Sequence, residues 1–116
     1  QPAFVNAAAE IETELAPLEL LSALKALEAR LGRAPSERWG PRAIDLDIVL
    51  WDGVVLETDA LTIPHPRYRE RAFVLIPLAA IAPDAADPRT GETARQLAER
   101  PGLDGAVLRM APIDDN

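Results

Sequence analysis

Apolar and polar residues alternate along two runs of the chain, which is the period of a β-strand. The first run covers residues 4–12 and places Phe4 and Asn6 together on its less apolar face. An aromatic ring and a primary amide on one face could contact a flat heterocycle, or could simply pack under a loop and bond to nearby backbone. The pattern leaves both interpretations open.

The second alternating run, Ala43 to Trp51, predicts a strand with a polar face of two carboxylates. Asp45 and Asp47 fall on one side, about 6.6 Å apart at the usual rise per residue. The intervening apolar side chains would point into a core: Ile44, Leu46, Ile48 and Leu50. Asp52-Gly53 directly after this run is a strong signal for a tight hairpin turn into Val54–Leu56.

Helical periodicity appears in Pro17–Leu31, where leucines recur at positions 20, 24, 27 and 31 before Gly32. Proline in the first turn and glycine after the last are typical helix boundaries. Lys25 and Glu28 are spaced to form an ion pair on this helix. Shorter helices are predicted over Arg69–Ala80, broken or kinked near Pro77, and over Glu92–Arg100, with a last strand at residues 107–108. This pattern alone indicates an α/β or α+β fold.

Length and composition limit the functional classes. A chain of 116 residues predicts a single domain, and its net charge of −7 disfavours general binding to nucleic acid or anionic membranes. No apolar run approaches the length of a membrane span. The chain has no cysteine and one histidine, which is compatible with a cytoplasmic protein and leaves no thiolate or His-rich metal site.

The sequence preceding the aspartate pair changes how that pair is interpreted. Asp-x-Asp by itself fits a solvated strand face, but here it follows Arg38-Trp39-Gly40-Pro41-Arg42. Carboxylates suit Mg²⁺, and arginines suit the phosphates that Mg²⁺ accompanies. Half of the 12 basic residues are arginines that flank these motifs, at positions 33, 38, 42, 67, 69 and 71. The sequence therefore predicts a metal-assisted phosphoryl-transfer site.

Three motifs in this order resemble 6-hydroxymethyl-7,8-dihydropterin pyrophosphokinase, a folate-pathway family. Residues 40–49 fit its Gly-Pro-Arg-x-x-Asp-aliphatic-Asp-aliphatic-aliphatic signature at every position. The other two matches are Gln1–Ala7 and a pair of runs, Leu61–Arg67 followed by Glu70–Leu78. The resemblance spans about residues 1–84. It implies an α+β, ferredoxin-like sandwich with a largely antiparallel sheet and helices on both sides.

The resemblance also implies a reaction, in which pyrophosphate passes from ATP to the hydroxymethyl group of the dihydropterin and AMP is released. Asp45 and Asp47 would hold two Mg²⁺ ions and, with Arg42 and Arg33, are the implied catalytic residues. Arg42 and Arg71 would bind phosphates, whereas Arg33 and Trp39 would come from a mobile loop that closes over the site. The implied ATP-binding residues are Glu28, Trp39, Arg42, Ile48, Thr62, His65 and Arg71. The implied pterin-binding residues are Phe4, Asn6, Phe73 and Asp45. Without the resemblance, His65 would be interpreted as a turn residue.

This sequence also departs from the family pattern. Ala60 and Pro66 replace residues that lie near nucleotide in some relatives, and the loop from Arg33 to Trp39 is short. The family's opening strand, first helix and second strand have no counterpart, so residues 1–116 are expected to form an N-terminally incomplete domain. An alternative is therefore a non-catalytic fragment that binds pterin or nucleotide and needs a complementing segment. A third possibility is an unrelated Mg²⁺-dependent nuclease or glycosyl-nucleotide enzyme.

Overall fold

The computed structural model describes residues 6–32 and 44–103. Helix α1 runs over Pro17–Leu31, as its leucine spacing predicts. The Glu19 carboxylate accepts a hydrogen bond from the Ala16 backbone N–H at 2.8 Å, and the Gly32 N–H donates to the Glu28 carbonyl at 2.8 Å. Gly32 has φ −85°, so this helix end does not use the left-handed conformation that favours glycine.

The sheet in the described residues has two antiparallel strands, β1 (Leu56–Glu57) and β2 (Thr62–Ile63). Leu56 pairs with Ile63, and Glu57 pairs with Thr62. Thr58 closes the connecting loop, because its hydroxyl donates to the Leu61 carbonyl at 2.9 Å and accepts from the Leu61 N–H at 3.0 Å. Leu61 and Ile63 are both buried, so this short hairpin rests on the interior.

The prediction of a strand over Ala43–Trp51 is wrong for residues 44–51, the part that the structure describes, because none of them belongs to a strand. A strand needs a ladder of backbone bonds to a neighbour. In the described residues, this segment's backbone makes two tertiary hydrogen bonds: the Val49 carbonyl accepts from the His65 N–H, and the Leu46 N–H donates to the Glu28 carboxylate. Ile44 is 45% exposed, so the predicted alternation of core and solvent faces does not hold at this end.

Asp52-Gly53 does form the predicted turn, with the Val54 N–H donating to the Trp51 carbonyl at 2.9 Å. Gly53 has φ +70°, a conformation that residues with a Cβ rarely adopt. The strands expected on either side do not pair with each other, and Leu56 pairs with Ile63 instead. The described part of the other predicted strand, residues 6–12, also has no strand assignment and is largely exposed.

The helix predicted over Arg69–Ala80 is two helices, a 3₁₀ helix at Tyr68–Glu70 and α2 at Ala72–Ile81. The break lies at Arg71, whose extended backbone (φ −113°, ψ 108°) ends one helix and begins the next. Pro77, where a kink was expected, lies within α2.

Helix α3 spans Ala94–Ala98, which is shorter than the predicted Glu92–Arg100. It begins with a reciprocal cap, because the Gln96 N–H donates to the Thr93 hydroxyl and the Thr93 N–H donates to the Gln96 side chain. The strand predicted at residues 107–108 lies outside the described residues.

The core forms where α2 and α3 meet. Tyr68, Leu75 and Leu97 are fully buried and form its centre. Partly buried residues from α2, α3 and two other segments pack around them: Val49, Leu50, Val74, Leu78, Ala98 and Leu103. Helices and an antiparallel pair of strands confirm the α+β class. Within residues 6–32 and 44–103, no helix has the length and apolar character needed to cross a bilayer.

This core predicts a contrast between two leucine-to-alanine variants. Leu75 is fully buried, whereas Leu27 on α1 is 40% exposed. We expect Leu75→Ala to lower the free energy of unfolding by about 2–5 kcal/mol, because it removes buried methyl groups and leaves a cavity. Leu27→Ala should cost less than about 1 kcal/mol. Urea unfolding measures both, and equal losses would contradict this placement of the core.

Candidate active site

An open pocket of about 230 Å³ lies where α1 faces the β1–β2 hairpin. One wall is the segment Leu46–Ile48, and another is the hairpin loop from Asp59 to Thr62. The remaining lining residues are Leu21, Lys25, His65 and Pro66. Four of the residues predicted to bind metal or nucleotide therefore surround one pocket, although they come from separate parts of the chain: Asp47, Ile48, Thr62 and His65.

Glu28 connects α1 to the segment that carries the aspartates. Its Oε2 accepts a hydrogen bond from the Leu46 N–H at 2.6 Å, and its Oε1 lies 3.6 Å from Lys25 Nζ. The Lys25–Glu28 ion pair predicted from spacing is therefore confirmed. Leu46 lies between Asp45 and Asp47, so Glu28 holds the backbone of the aspartate pair. Glu28 does not line the pocket, and its predicted contact with nucleotide stays a prediction.

His65 is tied to the same segment through its backbone. Its N–H donates to the Val49 carbonyl at 2.9 Å, and its ring Nδ1 accepts from the Arg67 N–H at 3.3 Å. The His65 side chain is half-buried and lines the pocket. Thr62 lies in β2, also half-buried, and presents a hydroxyl at the pocket.

Asp45 and Asp47 are both exposed, and only Asp47 lines the pocket. Across residues 6–32 and 44–103, the hydrogen bonds and ion pairs of the structure involve neither carboxylate. Two carboxylates without a protein partner in this part of the chain provide the oxygen-only donor set that Mg²⁺ prefers. These residues therefore fit the predicted metal. The same ranges contain no cluster of three or more residues with metal-binding side chains.

The other predicted site residues lie away from this pocket or outside the described ranges. Arg71 and Phe73 are at the start of α2, where the Arg71 guanidinium carbon lies 5.6 Å from the centre of the Phe73 ring. That distance is within cation–π range. Asn6 is exposed and does not line the pocket. The remaining four lie outside the described residues: Phe4, Arg33, Trp39 and Arg42.

Two groups of residues here were missed by the sequence interpretation. Lys25, Leu21 and Asp59 line the pocket, and Leu21 and Lys25 are four residues apart on one helix, a spacing that puts them on one face. Ala60 and Pro66, noted as departures from the family, line it as well. The second group is a polar network next to the core. The sequence contains no local signal for this network, because the two segments that it joins are about 20 residues apart.

That network centres on Asp87, which is fully buried. The Tyr68 hydroxyl donates to Asp87 Oδ2 at 2.6 Å, and the Arg89 N–H donates to Oδ1 at 2.8 Å. Arg69 Nη1 donates to Oδ2 at 3.3 Å, and its other terminal nitrogen bonds to Glu92. A polar group is tolerated in the interior when its hydrogen bonds are made in this way. The network joins the 3₁₀ helix to the loop before α3.

Burial and hydrogen bonding move the pKa values of this network in opposite directions. Burial raises the pKa of the Tyr68 hydroxyl, and the hydrogen bond to Asp87 raises it further. Burial by itself would raise the pKa of Asp87, but bonds from Tyr68 and Arg89 outweigh it and lower that pKa below its usual 3.8. Arg69 lowers the pKa of Glu92 through their hydrogen bond. Asp87 is therefore a buried carboxylate held in its charged form.

Comparison with known proteins identifies the class to which this fold and pocket belong. The family model of 7,8-dihydro-6-hydroxymethylpterin-pyrophosphokinase matches residues 1–83. The chain belongs to this family, as its three motifs predicted.

Individual relatives agree with the family match. A 2-amino-4-hydroxy-6-hydroxymethyldihydropteridine pyrophosphokinase from Synechocystis sp. is 48% identical over 112 residues, which are 97% of this chain and 57% of that protein. The protein of the same name from Pseudomonas aeruginosa is 52% identical over 84 residues, 72% of this chain and 52% of its own length. The folic acid synthesis protein fol1 of Schizosaccharomyces pombe is 43% identical over the whole chain, but the match covers 16% of that protein. The chain thus spans about half the length of the first two relatives.

The buried carboxylate predicts a specific dependence of stability on pH. The pKa of Asp87 lies below its usual 3.8 in the folded protein. The contribution of the Asp87 carboxylate to the stability of the fold is therefore complete above about pH 4–5. That contribution is lost as the pH falls through the pKa of Asp87 in the folded protein. We expect Asp87→Asn to unfold about 1–3 kcal/mol more easily at pH 7. The difference from wild type should shrink as pH approaches 2.

Denaturant titrations at several pH values measure this difference. Asp52→Asn, in the exposed turn, is the matched control and should follow the wild type throughout. A stability difference for Asp87→Asn that is the same at pH 2 and pH 7 would contradict the assignment of a charged Asp87.

Proposed function

We propose that this chain transfers pyrophosphate from ATP to the hydroxymethyl group of 6-hydroxymethyl-7,8-dihydropterin, releasing AMP, as a step of folate biosynthesis. The observation that carries the proposal is the pocket that brings Asp47, Ile48, Thr62 and His65 together. These residues come from two of the three motifs that resemble the family, and all four lie within residues 1–83, which the family model matches. Their grouping in space is what a shared ligand requires.

The pocket is suited to the nucleotide. Its volume of about 230 Å³ is below the ~300–1,000 Å³ typical of sites that enclose a small molecule, so it would hold part of ATP and leave the rest outside. Ile48 and Leu46 offer an apolar wall for adenine. The Thr62 hydroxyl and the His65 imidazole offer hydrogen bonds to ribose or base edges. The triphosphate would then extend toward Asp47 and Asp45.

The phosphates carry the charge that the site must stabilise. Asp45 and Asp47 would hold Mg²⁺, two ions by the family resemblance, and Arg33, Arg42 and Arg71 would bind phosphate oxygens. Bound Mg²⁺ supplies charge neutralisation on the phosphates and makes a nearby hydroxyl more acidic. Arginine forks suit phosphates because they bind bidentately. Trp39 in the same loop as Arg42 would help to exclude water from the reacting groups.

The pterin would lie at the start of α2. Phe73 and Phe4 would stack on its rings, while Asn6 and Asp45 would bond to its edge. The hydroxymethyl oxygen attacks the β-phosphorus as the bond between that phosphorus and the AMP oxygen breaks. The hydroxyl proton is lost in this step, and Asp45 or Asp47 would accept it. Catalysis in phosphoryl transfer of this kind is mainly positioning and charge stabilisation.

A second candidate function is binding without catalysis. The chain spans 57% and 52% of the length of the two bacterial relatives, so the described pocket could belong to a unit that binds nucleotide and needs further residues for turnover. Calorimetry separates the two functions. Binding of ATP with Mg²⁺, without pterin-dependent AMP, would support the second candidate over the first.

Substitution of the aspartate pair tests the proposed catalytic role. Asp45→Ala and Asp47→Ala should each lower pterin-dependent AMP formation by at least about 100-fold, because each removes a ligand of the ion that stabilises phosphate charge. Both side chains are exposed, so unfolding should be little changed. AMP formation is measured by chromatography at saturating ATP and Mg²⁺.

The control variant is Asp52→Ala, an exposed aspartate in the turn that follows the same segment. It should retain wild-type AMP formation. Normal turnover in either the Asp45→Ala or the Asp47→Ala variant would refute the proposed metal site.

A further inference from the structure

Tyr68 occupies a central position between two groups of candidate site residues. Its backbone N–H donates to the His65 carbonyl at 3.4 Å, and its own carbonyl accepts from the Arg71 N–H at 3.2 Å. His65 lines the pocket, and Arg71 lies against Phe73 at the start of α2. The path of the chain from the nucleotide pocket to the proposed phosphate and pterin residues therefore runs through Tyr68.

The local backbone bonds of this segment are weak. Both are longer than the usual 2.9–3.0 Å of an N–H···O bond, and a 3₁₀ helix of three residues has little stability of its own. Arg67 and Glu70, which form an ion pair across the helix at 3.7 Å, are both more than half exposed, so they contribute little. Something outside the segment must fix its conformation.

Two side chains of the segment supply that restraint: Arg69, which bonds to Asp87 and Glu92, and Tyr68, which makes the shorter bond to Asp87. The ring is fully buried in the core, and the hydroxyl bonds to the equally buried Asp87 carboxylate at 2.6 Å. A hydrogen bond to a charged acceptor is about twice as strong as a neutral one. It is also the shortest hydrogen bond that Tyr68 makes.

Asp87 in turn belongs to a loop with firm backbone bonds of its own. The Asp87 N–H donates to the Glu92 carbonyl at 2.8 Å, and the Gly91 N–H donates to the Asp87 carbonyl at 2.7 Å. Two further bonds, from the Ala94 N–H to Ala85 and from the Arg95 N–H to Pro83, fix this loop to the start of α3. The acceptor that holds Tyr68 is therefore itself well fixed.

We propose that the buried Tyr68–Asp87 hydrogen bond is a positioning element of the active site, which sets the orientation of His65 and Arg71 through the backbone of the 3₁₀ helix. Neither residue touches substrate. The pair acts by holding the segment Pro66–Glu70 in one conformation, so that the pocket wall and the start of α2 keep their relative placement. Its effect on ligand affinity rests on the proposed function, whereas its effect on His65 does not.

Tyr68→Phe tests the proposal, because it removes the hydroxyl and keeps the buried ring. His65 is the sole histidine of the chain, so its imidazole nitrogen signals are unambiguous in a nuclear magnetic resonance spectrum. We expect the Nδ1 signal to shift and the Arg71 amide to exchange with solvent at least about tenfold faster, as its hydrogen bond opens more often. The dissociation constant for α,β-methylene-ATP with Mg²⁺, measured by calorimetry, should rise about tenfold.

Thr93→Ala is the matched control, because a merely structural role would affect both variants alike. It removes the hydroxyl that caps α3, where the Gln96 N–H donates at 3.1 Å, and so lowers stability near the same loop without touching Tyr68. At a temperature where both variants are folded, Thr93→Ala should leave the His65 signal unchanged and the dissociation constant within about twofold of wild type. Asp87→Asn provides a second variant, in which Tyr68 is intact and the same changes as in Tyr68→Phe are expected.

The outcomes separate this proposal from the proposed function. If Tyr68→Phe lowers stability but leaves the His65 signal and Arg71 exchange at wild-type values, the pair is purely structural and the proposal is wrong. If wild-type protein does not bind the ATP analogue, the proposed function of the pocket fails. In that case the His65 and Arg71 measurements alone still decide whether the pair positions the segment.

Discussion

The buried hydrogen bond between Tyr68 and Asp87 is the interaction on which the rest of the described structure depends. It lies where the central core residues meet the loop that leads into α3, and it brings a charged group into an interior that otherwise consists of leucines and other apolar side chains. A carboxylate in such a place is tolerated only when donors surround it. Tyr68, Arg69 and Arg89 supply them. Hydrogen bonds and apolar packing therefore both hold Tyr68 and the core against the loop that leads into α3.

The candidate site is built mainly from irregular backbone held by side chains. Glu28 fixes the aspartate segment from a helix, Thr58 closes the hairpin loop, and the His65 N–H bonds to Val49. Loops that carry function need such external support, because their own backbone bonds are few. The site therefore depends on α1 as a rigid support on one side and on the α2–α3 core on the other.

The charged residues are distributed unevenly along the chain. The chain has a net charge of −7, yet half of its 12 basic residues are arginines that flank, in sequence, the motifs that carry the predicted site residues. Opposite charges in adjacent positions suit a ligand that is itself a complex of anionic phosphate and Mg²⁺. An overall acidic surface disfavours nucleic acids and other large polyanions, whereas a local group of arginines can still bind a small anion.

Local sequence determined several features on its own. The bounds of α1, the Lys25–Glu28 pair and the Asp52-Gly53 turn depend on residues within a few positions of each other, and all three were predicted correctly. The family also followed from sequence, because its motifs are contiguous runs. Residues 44–51 were predicted wrongly as a strand, since alternation records which faces are apolar but cannot supply a pairing partner. Only tertiary structure placed Leu46 under Glu28, joined Ile48 to His65 and Thr62 in one pocket, and buried Asp87 against Tyr68. These contacts link residues about 15 to 20 positions apart, and their geometry depends on how the whole chain packs.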